Sequence, residues 1–132
     1  IAERKGIEFN LEVKKIPEIK LSDIEICSLL GNLLDNAIEA CEKQMKEARF
    51  IDVKMQAKKG FLFIKIKNSI SSKPKIERGV FITSKKDKAT HGYGLKSVNR
   101  IVKKYEGDIS YTIEEETFEI RIYFYDMMFI VE

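Results

Sequence analysis

Gly31-Asn32-Leu33-Leu34-Asp35-Asn36-Ala37-Ile38-Glu39-Ala40 is the stretch on which the reading of this chain turns. Around it, apolar residues recur at Ile26, Leu30, Leu33, Leu34, Ala37 and Cys41, the spacing that buries one stripe of an α-helix. Asn32 and Asn36 are i,i+4 neighbours and Glu39 follows Asn36 by three, so the three project from one flank. Asn competes for its own backbone and lowers helix propensity, so two of them there answer a need other than folding. A pair of uncharged amide oxygens at a helix edge suits a hard cation such as Mg²⁺ held jointly with phosphate oxygens.

Moving upstream, Ser22-Asp23-Ile24-Glu25 reads as a capping box for a long helix reaching about Lys46. Before it, Ile7, Phe9, Leu11 and Val13 alternate with Glu8, Asn10, Glu12 and Lys14, which predicts a half-buried strand ended by Pro17. Downstream, Ile51, Val53, Met55 and Ala57 alternate into the turn Lys58-Lys59-Gly60. Leu62, Ile64 and Ile66 then share one face, opposite Phe61, Phe63, Lys65 and Lys67, so the two runs form a hairpin. A second helix carries Leu95, Val98, Ile101, Val102 and Tyr105 and stops at Gly107. Ile109, Tyr111 and Ile113, then Phe118, Ile120, Ile122 and Phe124, form a last hairpin across Glu114-Glu115-Glu116; the apolar tail Met127 to Val131 has no assigned element. One-sided alternation with intervening helices predicts an α+β two-layer sandwich, a mixed and mostly antiparallel sheet with helices on one face.

The 132 residues suffice for one domain with its own core, spanning 1–132. Apolar residues at 44% and charged residues at 34% are ordinary for a globular protein. A net charge of +3 is too small to indicate nucleic-acid binding, and the lysines cluster in one segment instead of forming a stripe. Cys27 and Cys41 lie 14 residues apart on one predicted helix, roughly 21 Å and beyond disulfide reach, so they read as buried free thiols in a reducing compartment. No run approaches the ~20 apolar residues that span a bilayer. The chain opens on Ile1, and we expect it to be cut from a longer protein.

From Ser69 to His91 no period emerges, and loops of that length inside compact domains are commonly functional lids. Phe81 and Ile82 precede Thr83-Ser84, and Lys85, Lys86 and Lys88 concentrate charge. His91-Gly92-Tyr93-Gly94-Leu95 then opens into the second helix. Glycines at a helix start let an anion approach N–H groups without intrahelical partners, aided by the macrodipole; the plainer reading is that they punctuate the loop end. Asn68 shares strand parity with Leu62, Ile64 and Ile66, so its amide faces the covered side. A buried amide without partners costs ~1–3 kcal/mol. Two readings stay open: bidentate pairing with adenine, or a strand terminator bonded to its own turn.

Asn32-Leu33-Leu34-Asp35-Asn36-Ala37 resembles the N box of the GHKL ATPases, the group uniting gyrase, heat-shock chaperone, histidine kinase and mismatch-repair ATPases. Phe81-Ile82-Thr83-Ser84-Lys85 resembles the kinase F box, and Gly92-Tyr93-Gly94-Leu95 the second glycine box. GNLLDNAIEAC and HGYGLKSVNRIVKKYEGDI look most like sensor histidine kinases of the peptide-responsive, quorum-sensing subfamily. The resemblance implies the Bergerat fold and an ATP-binding catalytic domain that delivers the γ-phosphoryl group to a histidine on a separate dimerisation domain. It implies that Asn36 coordinates Mg²⁺ on the ATP phosphates and that Asn32 helps hold the triphosphate. Gly92 and Gly94 would meet the phosphates, with Tyr93 and Leu95 in the same box, Lys85 contacting from a lid at about 69–91, and Asn68 reading adenine. His91, the chain's single histidine, would order the lid or touch phosphate, so the acceptor histidine lies upstream.

This chain departs from the family pattern twice. The first glycine box, usually Asp-x-Gly-x-Gly, is Asn68-Ser69-Ile70-Ser71-Ser72 here, and Glu39 stands where many kinases have Lys and would pair with Lys43. The implied partners are ATP, the acceptor domain of a homodimeric parent and, indirectly, a response regulator, with no nucleic acid. The implied location is the cytoplasm, as part of a membrane-anchored bacterial sensor. The alternatives are a GHKL-type serine protein kinase acting as an anti-sigma regulator, or a nucleotide-binding regulatory module without transfer activity.

Overall fold

The computed structural model describes residues 6–14, 19–42, 49–70, 75–77, 80–82, 88–114 and 116–127, with side chains outside 71–94. The elements in chain order are β1 (Glu8–Val13), α1 (Asp23–Glu42), β2 (Phe50–Lys58), β3 (Phe61–Ser69), β4 (Lys75–Glu77), β5 (Val80–Ile82), α2 (Lys88–Lys104), β6 (Asp108–Ile113) and β7 (Thr117–Phe124). Two-residue alternation builds a five-stranded sheet in the order β1-β2-β3-β7-β6, and β4 pairs with β5 apart from it. β1 runs parallel to β2, which is possible because α1 crosses between them, and the other neighbours are antiparallel. The β2–β3 turn uses Lys59 at φ 52° and Gly60 at φ 86°, the left-handed pair that a two-residue hairpin of matching twist requires.

Ile51, Val53 and Met55 of β2, Leu62, Ile64 and Ile66 of β3, and Phe118 to Phe124 at alternate positions of β7 make one buried face. Onto it pack Leu29, Leu33, Ala37 and Cys41 of α1 and Leu95, Val98, Ile101 and Val102 of α2. Each large side chain so buried contributes about 1.5–3 kcal/mol. The mixed sheet covered by helices on one face is therefore the architecture expected from the alternation. Among the described residues no helix is long and apolar enough to cross a membrane.

Several expectations are corrected. β1 forms, but all six of its residues are exposed, Leu11 at 61% and Val13 at 50%. Phe9, Leu11 and Val13 share a face with Ile51, Val53 and Met55 by register, yet α1 packs on β2, β3 and α2 and leaves this edge uncovered. The buried ridge of α1 is Leu29-Leu33-Ala37-Cys41, with Ile26, Leu30 and Leu34 on its margin, and Cys27 falls on the exposed side. The aperiodic segment contains the β4–β5 hairpin, and α2 starts at Lys88, ahead of His91. Helix α2 ends through Glu106 at φ 54°, with Glu106 N–H bonded to the Lys103 carbonyl and Gly107 N–H to that of Val102 at 2.8 Å. Gly107 is needed for room: a Cβ there would lie 2.6 Å from the Tyr123 carbonyl oxygen. Met127 is buried, its N–H bonded to the Gly60 carbonyl at 2.8 Å. The expected helix turn to Lys46, the role of Pro17 and the tail after Met127 lie outside the described residues.

Candidate nucleotide site

The site is positioned by the way α1 and α2 are tied together at their other end. Ser22 N–H donates to Glu25 Oε1 at 3.0 Å and Glu25 N–H to Ser22 Oγ at 3.1 Å, the reciprocal capping box that starts α1. The same carboxylate accepts Lys104 Nζ at 2.8 Å and the Tyr105 hydroxyl, both from the end of α2. The Lys104 bond first, then the Ser22 N–H and the Tyr105 hydroxyl, hold the Glu25 carboxyl down to about 2. The N-terminus of α1 thus meets the C-terminus of α2, so the helices run antiparallel. Asn36 lies eleven residues beyond Glu25 and Gly94 eleven before Tyr105, roughly 16 Å along each axis, which brings them level.

Asn32 and Asn36 are both half-buried on the flank of α1 that carries Glu25. Asn32 Nδ2 donates to Ser28 Oγ at 3.3 Å, and its oxygen has no donor among the described residues. For the Asn36 amide there is no hydrogen-bond partner among the described residues. Glu39 is half-buried and already partnered. Ser28 is a residue that sequence reasoning missed, although its place four residues before Asn32 is the signal that finds it.

Asn68 faces the helices, as its parity predicts, and is 2% exposed. Its Nδ2 donates to the Ser69 carbonyl at 3.0 Å, the strand-terminating bond. Its Oδ1 has no donor among the described residues, which leaves a buried acceptor for a ligand edge. Cys41 Sγ lies 3.6 Å from Ser69 Oγ, and Ser69 Oγ accepts Phe50 N–H at 3.0 Å. These bonds fix the end of β3 beneath the last turns of α1, just past Asn36. Burial pushes the Cys41 thiol up, so it is a packing group.

The glycine box differs from its expected position. Gly92, Tyr93 and Gly94 lie within α2, whose first turn is Lys88 to His91, so the unpaired N–H groups belong to that earlier turn. Two glycines inside a helix cost about 1 kcal/mol each relative to Ala, which makes these the least stable turns of α2. Leu95 is buried at 7% exposure and anchors the helix in the core. His91, Gly92, Tyr93 and Gly94 are placed by backbone alone, and Lys85 lies outside the described residues. Asn36, Glu39, Asn68 and the start of α2 are thus gathered at one end of the helix layer, with Asn32 one turn further in.

Among the described residues no group of three or more His, Cys, Asp or Glu could hold a metal. A divalent cation here would take most of its oxygens from phosphate and water with one amide from the chain, the usual situation of Mg²⁺ at nucleotides, and the unpartnered Asn36 fits that place.

Residues 21–125 match the family model described as the GHKL domain. No curated protein matches the chain. Among solved structures it is similar to the Acinetobacter baumannii histidine kinase AdeS, at 18% identity and TM-score 0.67 over 95% of this chain and 57% of that one. The nucleotide-free catalytic domain of the histidine kinase ThkA is 20% identical, with TM-score 0.73 over 95% and 84%. Full-length ShkA in complex with AMPPNP is 18% identical, with TM-score 0.69 over 96% and 27%. These likenesses establish a shared fold, and the chain spans little more than half of AdeS and about a quarter of ShkA.

Proposed function

The chain belongs to the GHKL domain family, and from that membership we propose that it is the ATP-binding catalytic domain of a sensor histidine kinase. It would deliver the γ-phosphoryl group of ATP to a histidine on a separate dimerisation domain. The observation that supports this most directly is the half-buried Asn36 amide, unpartnered among the described residues, level with Gly94 and at the end of the helix layer where Asn68 is buried. Those are two polar acceptors at the end of the helix layer that also holds the glycine-containing start of α2. ShkA, which shares the fold, forms a complex with AMPPNP, and the same class of ligand suits this crevice.

In this reading Asn68 Oδ1 accepts the exocyclic amine of adenine, Asn32 and Asn36 face the triphosphate, and the first turn of α2 offers N–H groups to phosphate oxygens. Magnesium, when bound, would supply positive charge between phosphate oxygens, with Asn36 Oδ1 as its ligand from the chain. Lys85 and His91 would close over the phosphates from the lid. The bond from the γ-phosphorus to the ADP oxygen breaks as one to an imidazole nitrogen forms, and ADP leaves. The chain contributes position and electrostatics more than covalent chemistry. The acceptor imidazole belongs to the parent protein, which we place as a homodimeric, peptide-responsive sensor on the cytoplasmic side of a membrane, passing phosphate to a response regulator.

Asn36→Ala should weaken Mg²⁺-dependent AMPPNP binding at least about tenfold by calorimetry, ~1.4 kcal/mol; unchanged affinity overturns the assignment of the metal ligand. Labelled ATP added with a separately supplied histidine-acceptor domain should label that domain. Nucleotide binding without any label would instead leave a regulatory module.

A further inference from the structure

We propose that the open face of the sheet carries a docking cleft for an acidic protein segment bearing bulky apolar side chains. The side of β3 and β7 turned away from the helices should be polar, and over most of its length it is: Lys65, Lys67, Glu119 and Arg121 occupy it. At the β2–β3 hairpin end the pattern breaks. Phe61 and Phe63 of β3, Tyr123 of β7 and Tyr125 just past its end stand together at that edge, with Phe63 opposite Tyr123 in register. Phe61 is 49% exposed and Tyr125 41%. They line a cleft of about 670 Å³. The helix-side core contains none of these rings, so the fold does not require them there, and an exposed apolar patch of this kind marks an interaction surface.

The rings are paired. Phe61 meets Tyr125 edge to face at 5.7 Å, and Phe63 meets Tyr123 at 4.8 Å and 34°. The Tyr125 hydroxyl donates to Asp108 Oδ2 at 2.5 Å, which fixes that ring. The cleft is thus a shallow, open apolar recess whose rings are already ordered. Its lip carries Lys58 and Lys59, and among the described residues neither has an ion-pair partner. Two uncompensated cations beside an aromatic recess select an acidic segment whose apolar side chains enter between the rings.

Nucleic acid and membrane fit less well. Along the sheet, Lys65 and Arg121 share the carboxylate of Glu119, at 3.9 Å and 2.6 Å, which leaves fewer cations free to follow a phosphate backbone. A membrane surface calls for a broad apolar face, and here Lys65, Lys67, Glu119 and Arg121 occupy the rest of it. Phe61 lies about 23 Å along β3 from Asn68 and on the opposite face, so an occupant would not compete with nucleotide. The cleft stands independently of the kinase reading.

The test is titration of the ¹⁵N-labelled whole chain with a synthetic helical peptide of Glu, Leu and Phe, set against a Lys, Leu and Phe peptide of the same length, a dT12 oligonucleotide and phosphatidylglycerol vesicles. The acidic peptide should shift the amides of Lys58, Lys59, Phe61, Phe63, Tyr123 and Tyr125 saturably. Lys58→Glu with Lys59→Glu should weaken it at least tenfold, and Phe61→Ser likewise, both with an unchanged melting curve. No shift at these residues, equal binding of the Lys peptide, or tighter binding of the oligonucleotide or vesicles would each overturn the proposal.

Discussion

The two ends of the α1–α2 pair are built from similar polar residues to opposite purposes. At the end containing Ser22, Glu25, Lys104 and Tyr105, every oxygen of the Glu25 carboxylate is bonded, and one residue both starts a helix and ties it to its neighbour. At the end containing Asn36, Asn68 and Gly94, a half-buried amide and a buried carbonyl oxygen lack partners among the described residues, and helix α2 is weakened by two glycines. Saturated polar groups stabilise, and unsatisfied ones wait for a ligand. The contrast predicts that substitutions at the first end move stability and leave nucleotide affinity alone, while those at the second do the reverse.

The largest effect on stability should come from Gly107→Ala, just past the end of α2. The added Cβ meets the Tyr123 carbonyl at 2.6 Å and the Phe124 ring at 3.0 Å, so backbone has to move, and we expect a loss of about 2–3 kcal/mol in urea unfolding. A loss below half of that would show that this end yields more than its packing indicates. Next is Glu25→Gln, expected to lose about 1–2 kcal/mol at pH 7, kept modest because Lys104 is largely exposed. The folded state holds Glu25 near 2, below its ordinary 4.5, so its contribution is complete above about pH 4.5 and disappears as pH falls toward 2. The variant should therefore lose less stability than the natural chain between those pH values, and an identical acid limb would break the comparison.

Gly31→Ala is a smaller test on the solvent side of α1. Nothing lies within 4 Å of the new Cβ, and we expect a gain of about 0.5–1 kcal/mol by thermal melting. Asn36→Ala should change stability least, by no more than about 0.5 kcal/mol and in the favourable direction, even as it weakens Mg²⁺-dependent binding. A marked loss of stability would mean that the amide is structural, and the distinction between the two ends would fall.

Much of this is legible without coordinates. The strands of both hairpins, the capping box and the inward aim of Asn68 follow from period, spacing and parity, which are local properties of the backbone. Other points are not. Alternation in β1 says which of its residues share a face, but burial needs a covering element, and α1 lies elsewhere. The two-cysteine reading fails at Cys27 because the buried ridge of α1 is turned toward Leu29 by what the helix packs on. The glycine box reads as a helix start, whereas the helix extends back to Lys88. The aromatic cleft is visible in the sequence only as an alternate strand face, since the pairing of β3 with β7 joins residues some sixty positions apart.

The sequence by itself determined the kind and order of the elements and the polar flank of α1, because hydrophobic period and capping chemistry act over a few residues. Only the tertiary structure decided which apolar faces are covered, which end of the helix pair is sealed and where the open-face rings converge. Those outcomes depend on surfaces brought together from distant parts of the chain, and no local pattern encodes how they meet.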